Sequence, residues 1–468
     1  EYYRTTGAEQ ILPACLNAWQ DIVAKRLYIT GAASYREAFL DDFDLPNTGN
    51  VGETCVTVSW LQFNAQLLRL TGEARFAEQL ERVLLNQLPA AQSPDCTAWS
   101  SYPPMQGKKA YNTILEGYCC LSSGPRGFAL APTFALTTDA DGVVVNLLYK
   151  ACARLTLRDQ TAVSLTIDSL FPSEGHARIT IDPSTTKPFK VKLRLPAWSP
   201  ATVLKVNGHS VPAQAAADGY AAIARQWQKG DVIEMEFRLV PRIVLGDHGN
   251  AGRVAVMYGP LVLAADDALL SSAGQTVSTI SLPEGAAVTP QPAPSFVKTW
   301  DNAKVFHVRA LAHWPTDQVK AGDQVDIDLI PFADAGGTSS DYKVWLPLPG
   351  TIPANVLLGG RESRSREGII NGSINDDDST TFVVTFDGQR AAEDWFAVTL
   401  GTPAPIKRIE FLHGNNYHDG GWFDASKGKP RVQIQRDKDM PWETIGELAD
   451  YPNTTSTNNT GLLPSQSF

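Results

Sequence analysis

The stretch GETCVTVSWLQFNAQLLRLTG, residues 52–72, has the pattern of an amphipathic helix preceded by a carboxylate and a thiol. Gly72 predicts the end of this helix, because glycine adopts the left-handed conformation of a C-cap without strain. We therefore expect a core-facing helix that begins near Val56, directly after Glu53 and Cys55. Its large apolar residues recur every three or four positions, as on one face of an α-helix: Val56, Trp60, Phe63, Leu67 and Leu70.

Two further apolar stripes with helical spacing flank this helix, over residues 11–22 and 76–84, and we expect Pro89 to stop the second. From about residue 131 the pattern changes to short strands with turn signals such as Asp141-Gly142, which favours antiparallel sandwiches. Pro283 to Pro294 is expected to be a long loop. The predicted strands cover residues 143–149, 155–157, 163–167, 191–195, 232–237 and 254–263.

Length and composition limit the class of protein. A chain of 468 residues predicts three or four domains, at about 100–200 residues each. The net charge of -10 and the lack of a Lys/Arg cluster argue against a nucleic-acid partner. No apolar run reaches the length of about 18 residues that a membrane span needs, so we expect no membrane partner. The 11 Trp and 13 Tyr residues suit sugar binding, although most of the Trp side chains are equally expected in cores.

The adjacent cysteines Cys119 and Cys120 form, with Glu53 and Cys55, a set of four candidate metal ligands. Zinc accepts three thiolates and one carboxylate, because it has no d-electron preference of geometry. Spacing alone leaves the alternative open that these cysteines are small buried residues or a disulfide, since no CxxC pair is present. Removing the set leaves three of the six cysteines, and an odd number cannot form a complete disulfide framework.

A series of short motifs over residues 1–345, in a fixed order, resembles the β-L-arabinofuranosidases of glycoside hydrolase family 127. Together they are more specific than any one of them alone. The motifs are Tyr28-Ile29-Thr30-Gly31, Glu37-Ala38-Phe39, Asp44-Leu45-Pro46-Asn47, Gly52-Glu53-Thr54-Cys55, Leu70 to Phe76, Glu81-Arg82, Asn86, Cys119-Cys120, Leu195-Pro196-Ala197-Trp198, Val206-Asn207-Gly208, Trp227 with Gly230-Asp231, and Tyr258-Gly259-Pro260-Leu261-Val262.

The resemblance implies a multidomain fold of α and β parts: the carboxy-terminal part of an (α/α)₆ barrel over residues 1–130, a β-sandwich over 131–245 and a second over 246–350. Three helices cannot close a barrel of twelve. We therefore expect the remainder of the barrel to come from a segment missing from this chain or from another chain. The family's second sandwich also favours a homodimer.

The resemblance also implies the site. Zinc would be held by Glu53, Cys55, Cys119 and Cys120, with Cys119 as the nucleophile and Glu37 as the acid/base carboxyl. A retaining glycosidase needs a nucleophile and an acid/base group, and a metal that keeps sulfur as thiolate lets cysteine take the first role. We expect Glu37 to be partly buried or close to other carboxylates.

Each assignment has an alternative. Glu37 could be a solvated loop acid, and Glu53 could cap the helix that follows it, a role compatible with metal binding. Cys119 and Cys120 could belong to a structural zinc site. An inverting pair of Glu37 and Glu116 would need no metal. The carboxylates that compete for the acid role are Glu37, Asp41, Asp42, Asp44, Glu53 and Glu116.

The last part, residues 351–468, is similar to discoidin-like (F5/8-type) carbohydrate-binding modules, which are β jelly rolls, and its ragged end suggests an incomplete module. The motifs are Asp376 to Thr380, Trp395 to Gly401 and Trp442-Glu443-Thr444-Ile445. Asp376 to Asp378 are candidates for a structural Ca²⁺ ion, although such acidic turns are often only solvated loops. Trp422, Phe423 and Tyr417 could stack on sugar or pack in a core.

Two functions follow from these expectations. The first is a retaining exo-glycosidase that releases β-linked L-arabinofuranose, or a related sugar, from oligo- or polysaccharides of plant cell walls. The second is a non-catalytic carbohydrate-binding protein with a structural zinc site. Family members often continue the vicinal cysteines with Pro-Pro-Asn, whereas Leu121 to Arg126 follow here, which leaves the sugar open. Sequons at Asn371, Asn453 and Asn458 favour an extracellular or periplasmic protein.

Overall fold

The computed structural model describes most of the first 351 residues and shorter pieces beyond them. Two compact units are present, the first formed by Glu1–Trp314 with Gln318–Thr351, the second by Pro315–Asp317 with Ile352–Phe468. No helix within the described residues is long and apolar enough to cross a membrane. The described residues are 2–113, 119–270, 275–312, 320, 322–351, 357, 360–371, 373–375, 382–385, 391–400, 406, 409–411, 429–447 and 466–467.

The amino-terminal part is helical, but only Trp60 and Leu67 of the apolar face predicted from residues 52–72 are buried in its core. The other apolar core residues of this helix are Val58, Leu61, Ala65 and Leu68. Trp19 stacks on Trp60, with ring centroids 6.5 Å apart, and donates a 2.7 Å hydrogen bond from Nε1 to Asn64 Oδ1. Gly72 caps its helix at φ +70°, as predicted. The helices are Tyr2–Thr6 (α1), Ile11–Lys25 (α2), Thr54–Thr71 (α3), Ala74–Arg82 (α4), Leu88–Ala91 (α5), Cys119–Leu130 (α6), Pro132–Ala135 (α7) and Asp267–Leu270 (α8).

Pro89 does not stop the helical stripe, so that prediction was wrong. A π-helical turn, Val83–Gln87, follows α4, and the Leu88 N–H bonds to the Val83 carbonyl five residues back. Pro89 therefore falls just after the π-helical turn, where the hydrogen-bond pattern of the continuous helix changes.

Two sheets follow the helices and share one hydrophobic core, to which Leu193 and Trp227 contribute from one sheet and Leu165 and Ile233 from the other. The first sheet is antiparallel except where β3 and β7 run parallel. It has the order β10-β7-β3-β2: Leu136–Thr138 (β2), Gly142–Val145 (β3), Lys187–Arg194 (β7) and Tyr220–Trp227 (β10). The second has the order β4-β5-β6-β11-β8-β9: Ala151–Thr156 (β4), Ala162–Ser169 (β5), His176–Pro183 (β6), Thr202–Val206 (β8), His209–Val211 (β9) and Asp231–Phe237 (β11).

A ten-stranded sheet completes the first unit and corrects two predictions. Residues 254–263 form two strands of a hairpin rather than one, because Gly259-Pro260 turns the chain. The expected loop from Pro283 to Pro294 contains an edge strand, where proline is tolerated because no second neighbour needs its N–H. The strands are Gln106–Gly107 (β1), Pro241–Leu245 (β12), Arg253–Tyr258 (β13), Leu261–Asp266 (β14), Ile280–Ser281 (β15), Val288–Pro292 (β16), Lys304–Ala312 (β17), Gln324–Pro331 (β18), Tyr342–Lys343 (β19) and Leu346–Pro347 (β20).

This sheet anchors the segment that leads to Cys119. β1 pairs with β19, and the Tyr342 hydroxyl donates to the Pro104 carbonyl at 2.5 Å. Lys109 Nζ is buried between the Phe332 and Tyr342 rings and donates to the Phe332 carbonyl at 2.9 Å. Residues 104–109 are thereby fixed on the sheet.

The second unit contains four two-stranded antiparallel sheets among its described residues, pairing β21 with β24, β22 with β23, β25 with β28 and β26 with β27. The chain as a whole is thus a mixture of helices and many sheets, in agreement with the predicted class. The strands are Arg361–Arg364 (β21), Gly368–Asn371 (β22), Phe382–Thr385 (β23), Phe396–Thr399 (β24), Glu410–Phe411 (β25), Arg431–Ile434 (β26), Glu443–Glu447 (β27) and Gln466–Ser467 (β28).

Candidate metal centre

The structure brings Glu53, Cys55, Cys119 and Cys120 together, with one ligand atom from each lying within 4.8 Å of the others. The Cys120 sulfur lies 3.7 Å from that of Cys55 and 4.0 Å from that of Cys119. Glu53 Oε1 lies 3.1 Å from Cys120 Sγ and 3.7 Å from Cys119 Sγ. Residues 65 positions apart in the chain thus meet at one point.

Glu53 uses its two carboxylate oxygens for two purposes. Oε2 accepts a 2.6 Å hydrogen bond from the Val56 N–H and caps α3, while Oε1 faces the sulfurs. Negative charge is favourable at a helix N-terminus, where N–H groups lack helical partners. The capping role expected as an alternative and a role toward a metal therefore coexist in one side chain.

The backbone is fixed on both sides of Glu53, at Gly52 and at Thr54. Gly52 has φ +62°, and a side chain there would meet Gln87 and Ala32, so only glycine fits without strain. Thr54 donates from its N–H to the Ser101 carbonyl at 2.9 Å and from its hydroxyl to the Ser100 carbonyl at 2.8 Å. These bonds fix the direction in which the Glu53 carboxylate points.

The two adjacent cysteines begin α6, which packs closely on α3. Gly124 lies against the Trp99 ring, and a side chain on Gly127 would come within 2.9 Å of Val58 and Leu88. Close approach without side chains brings the first turn of α6 to the start of α3. Cys120 is buried, Cys55 is half-buried and Cys119 is exposed, so the first of the vicinal pair is the one open to a substrate.

The spacing of these atoms fits a tetrahedral metal ion. Zinc–sulfur bonds of about 2.3 Å in a tetrahedron place two sulfurs about 3.8 Å apart, close to the observed 3.7 and 4.0 Å. A disulfide would bring two sulfurs to about 2.05 Å, and all six cysteines are free thiols. The donor set could therefore hold a metal ion, and the disulfide alternative is wrong for this structure.

The Cys55 and Cys120 thiols are not anionic by themselves at neutral pH. Burial raises the pKa of Cys55 to about 12, and burial and Glu53 raise the pKa of Cys120 further above that of a free thiol. Thiolates at this position need a cation among them, because a carboxylate is already present. Metal binding would release the thiol protons.

Glu37 lies outside this cluster, on a tight turn between Tyr35 and Ala38, whose backbone N–H and C=O groups bond to each other at 3.0 and 3.2 Å. The Glu37 side chain is exposed rather than partly buried. Asp42 is paired with Lys25 at 2.9 Å and with Arg26, so its charge is compensated. Glu116, the partner in the metal-free alternative, lies outside the described residues.

Tyr102 is a site residue that sequence reasoning missed. Burial raises the pKa of this phenol, and the charges of Glu53, Glu37, Cys120 and Cys119 raise it further. Because such effects weaken with distance, Tyr102 is a candidate neighbour of both the metal set and Glu37. Its position directly after Ser101, which Thr54 holds, is set by tertiary structure and carries no local signal.

The residues predicted for the carboxy-terminal module lie largely outside the described residues, including Asp376 to Asp378, Tyr417, Trp422 and Phe423. Trp395 and Trp442 are described, and both are about half exposed, at 48% and 52%.

Comparison with known proteins identifies the helical part and the sheets after it. Residues 1–132 match the GH127 catalytic domain of beta-L-arabinofuranosidases, and residues 142–239 match their GH127 middle domain. A non-reducing end beta-L-arabinofuranosidase of Bifidobacterium longum subsp. longum is 29% identical over 290 residues, which cover 56% of this chain and 43% of that protein. The chain thus spans less than half of this curated relative.

Solved structures have the same fold. A glycoside hydrolase superposes with a TM-score of 0.68 at 24% identity, over 74% of this chain and 63% of its own. A GH127 beta-L-arabinofuranosidase from Geobacillus stearothermophilus T6 gives 0.66 at 22% identity, over 74% and 58%. A GH127 beta-arabinofuranosidase gives 0.63 at 29% identity, over 70% and 55%. Residues 1–239 are therefore similar to the catalytic and middle domains of glycoside hydrolase family 127.

Proposed function

We propose that the protein is a retaining exo-glycosidase that releases β-linked L-arabinofuranose, or a related sugar, from plant cell-wall glycans. The observation that carries the proposal is the convergence of Glu53, Cys55, Cys119 and Cys120, with Cys119 the exposed member. A nucleophile must be reachable by the substrate, whereas ligands that only hold a metal are best buried. The exposure of Cys119 beside buried Cys120 and Glu53 matches this division.

We infer that the metal is zinc, held by the same four residues. Three sulfurs and one carboxylate oxygen at tetrahedral spacing suit zinc better than Mg²⁺ or Ca²⁺, which prefer oxygen ligands. When bound, zinc would keep the Cys119 sulfur as a thiolate and make its later departure from carbon easier.

In the first half of the reaction, Cys119 Sγ attacks the anomeric carbon of the terminal sugar. A carbon–sulfur bond forms as the glycosidic carbon–oxygen bond breaks, and Glu37 gives its proton to the departing oxygen. In the second half, Glu37 takes a proton from water, whose oxygen attacks the same carbon and displaces Cys119 Sγ. Two displacements at one carbon retain its configuration.

Tyr102 supports the assignment of Glu37 to this reaction. The charges of Glu37 and of the metal set both raise the pKa of this phenol, as expected if they line one substrate site. The exposed Glu37 carboxylate is open to water, from which it must take a proton in the second step.

A non-catalytic carbohydrate-binding protein with a structural zinc site is the second candidate. The exposure of Glu37 favours this second candidate, because a solvated surface carboxylate needs no catalytic role to explain its presence. Loss of activity on changing Cys119 without loss of zinc from the other three ligands would separate the two functions.

The test is hydrolysis of nitrophenyl β-L-arabinofuranoside by the full-length protein, with zinc measured in the same samples. We expect Cys119→Ser to abolish hydrolysis and Cys152→Ser, an exposed free thiol on β4, to leave it unchanged. Glu37→Gln should retain hydrolysis of the activated nitrophenyl glycoside better than that of natural glycans, because nitrophenolate leaves without a proton. Full activity of Cys119→Ser would refute the proposed nucleophile.

For the second unit we propose a discoidin-like carbohydrate-binding module, with Ca²⁺ at Asp376 to Asp378. The half-exposed Trp395 and Trp442 support a sugar-binding role, because flat indole faces pack on sugar rings. We further propose an extracellular or periplasmic location, where such glycans are found, and assembly as a homodimer. The remainder of the barrel would come from a segment outside this sequence or from another chain. Binding of soluble arabinan or pectic fragments by the full-length protein, with and without calcium, tests the module.

A further inference from the structure

Two side chains of α6, Ser123 and Arg126, form a hydrogen-bonded chain that ends on a sulfur of the metal set. Ser123 Oγ lies 3.2 Å from Cys55 Sγ, and Arg126 Nη2 lies 3.0 Å from the same oxygen. Ser123 is only 4% exposed, whereas Arg126 reaches it from the exposed side of the helix. A buried hydroxyl thus stands between a permanent cation and a metal-ligand sulfur.

The chemistry of the three groups sets the direction of these bonds. A guanidinium has no acceptor, so Arg126 donates and occupies a lone pair of Ser123 Oγ. As a neutral thiol, Cys55 donates to the other lone pair of Ser123 Oγ. As a thiolate, Cys55 has no proton to donate, so the Ser123 hydroxyl becomes the donor to the sulfur. An anionic sulfur accepts such a bond, and hydrogen bonds to ions are stronger than those between neutral groups.

Helix geometry explains how this chain reaches the site. Cys120, Ser123 and Arg126 follow one another at intervals of three residues, so they lie along one face of α6. Gly124 and Gly127 let that helix approach Trp99 and α3 closely. A side chain as short as serine can then bridge from α6 to Cys55.

We propose that Ser123 is a positioning residue of the metal centre, which donates a hydrogen bond to the Cys55 thiolate and is itself polarised by Arg126. The bond orients this ligand and stabilises its negative charge next to the three other anionic ligands. The inference rests on the proposed function, since it takes the four groups to hold a metal ion. It adds two residues to the four that would hold the metal.

Partners in the outer coordination shell commonly change metal affinity by about 10- to 100-fold. Ser123→Ala leaves the Cys55 sulfur without its donor, so we expect zinc to bind about 10-fold more weakly. Arg126→Gln should cause a smaller loss, and none when Ser123 is already alanine, because Arg126 acts through Ser123.

The experiment measures zinc affinity of the reduced, metal-stripped full-length protein by competition with a chromophoric chelator. The cobalt-substituted forms of the same proteins report the sulfur ligands through their sulfur-to-cobalt charge-transfer bands. The set comprises wild type, Ser123→Ala, Arg126→Gln and the double variant. Ser122→Ala is the matched control, because Ser122 lies in the same turn and donates to the Cys119 carbonyl at 2.9 Å instead. It should bind zinc as the wild type does.

Weaker zinc binding and shifted cobalt bands in Ser123→Ala, with no further effect of Arg126→Gln in that background, are the expected results. Zinc affinity and cobalt bands equal to those of the wild type would overturn the proposal. If Ser123→Ala does not fold, the exposed Arg126→Gln substitution carries the test, and unchanged cobalt bands in it overturn the proposal equally. A wild-type protein that takes up no metal would overturn the proposed function along with it, which distinguishes the two failures.

Discussion

The Cys120 sulfur lies 3.1 Å from Glu53 Oε1, while the other oxygen of the same carboxylate caps α3. One side chain therefore links the start of a helix to the cysteines of another. Any change that moves α3 relative to α6 changes the spacing of the metal set.

Replacing Glu53 by glutamine removes a charged ligand. Zinc binding should therefore weaken by more than the loss of about 10- to 100-fold that is typical when a residue of the outer coordination shell is changed. The amide oxygen can still accept from the Val56 N–H, so the metal-free protein should keep its melting temperature. Glu53→Ala removes the cap as well and should cost about 1 kcal/mol of unfolding free energy in addition. Chelator competition and urea denaturation of the metal-free proteins measure the two effects. Equal zinc affinity in Glu53→Gln would remove Glu53 from the ligands.

Gly124→Ala should destabilise the protein by about 1–3 kcal/mol, because its new methyl group would overlap the Trp99 ring and force α6 away. Since α6 carries Cys119 and Cys120, zinc affinity should fall with stability. Gly285→Ala is a matched control, because a side chain there meets no atom within 4 Å. Unaltered zinc binding in a destabilised Gly124→Ala protein would show that the helix contact does not set the site.

Arg194 and Glu81 form a fully buried ion pair between β7 and α4, with Trp198 donating to the second Glu81 oxygen at 2.8 Å. Changing either partner alone to an apolar residue of similar size should cost about 3–5 kcal/mol, because the other charge is left buried without a partner. The double variant Glu81→Leu/Arg194→Met should be less destabilised than the sum of the single variants. Urea unfolding of the four proteins tests this, and additive losses would contradict it.

Lys109 should make stability depend on pH. Burial lowers its pKa from 10.5 to about 7, so between these values the unfolded chain binds the proton and the folded chain does not. The free energy of unfolding should therefore rise as the pH increases from about 7 toward 10, where the cost of deprotonating Lys109 on folding disappears. Lys109→Met should show a smaller rise over the same range. Denaturant unfolding at several pH values measures it, and identical profiles for both proteins would contradict the assignment.

The sequence predicted features whose signal is local. The helix before Gly72 and the C-cap at Gly72 lie where expected, because periodicity and a left-handed glycine depend on few neighbours. Of the predicted stripe from Val56 to Leu70 only Trp60 and Leu67 are buried, since tertiary packing decides which face of the helix is covered. Pro89 and β16 were predicted wrongly, since a π-helical turn and an edge position tolerate proline in ways that a local pattern does not show.

The candidate site likewise contains residues that the sequence predicted and residues that only tertiary packing places there. The metal set follows from residue types and family resemblance, and the structure brings its four members together. Tyr102 and Ser123 owe their places to the packing of α3, α6 and the Ser100–Ser101 segment, and neither has a sequence signal of its own. The exposure of Glu37 likewise depends on how the turn from Tyr35 to Ala38 folds.

The most direct test of the central claim is X-ray absorption at the zinc K-edge of the full-length protein purified under reducing conditions. We expect one zinc per chain with three sulfur atoms at about 2.3 Å and one oxygen at about 2.0–2.2 Å. A protein without zinc, a shell of nitrogen and oxygen alone, or Cys119 and Cys120 joined to each other as a disulfide would contradict it.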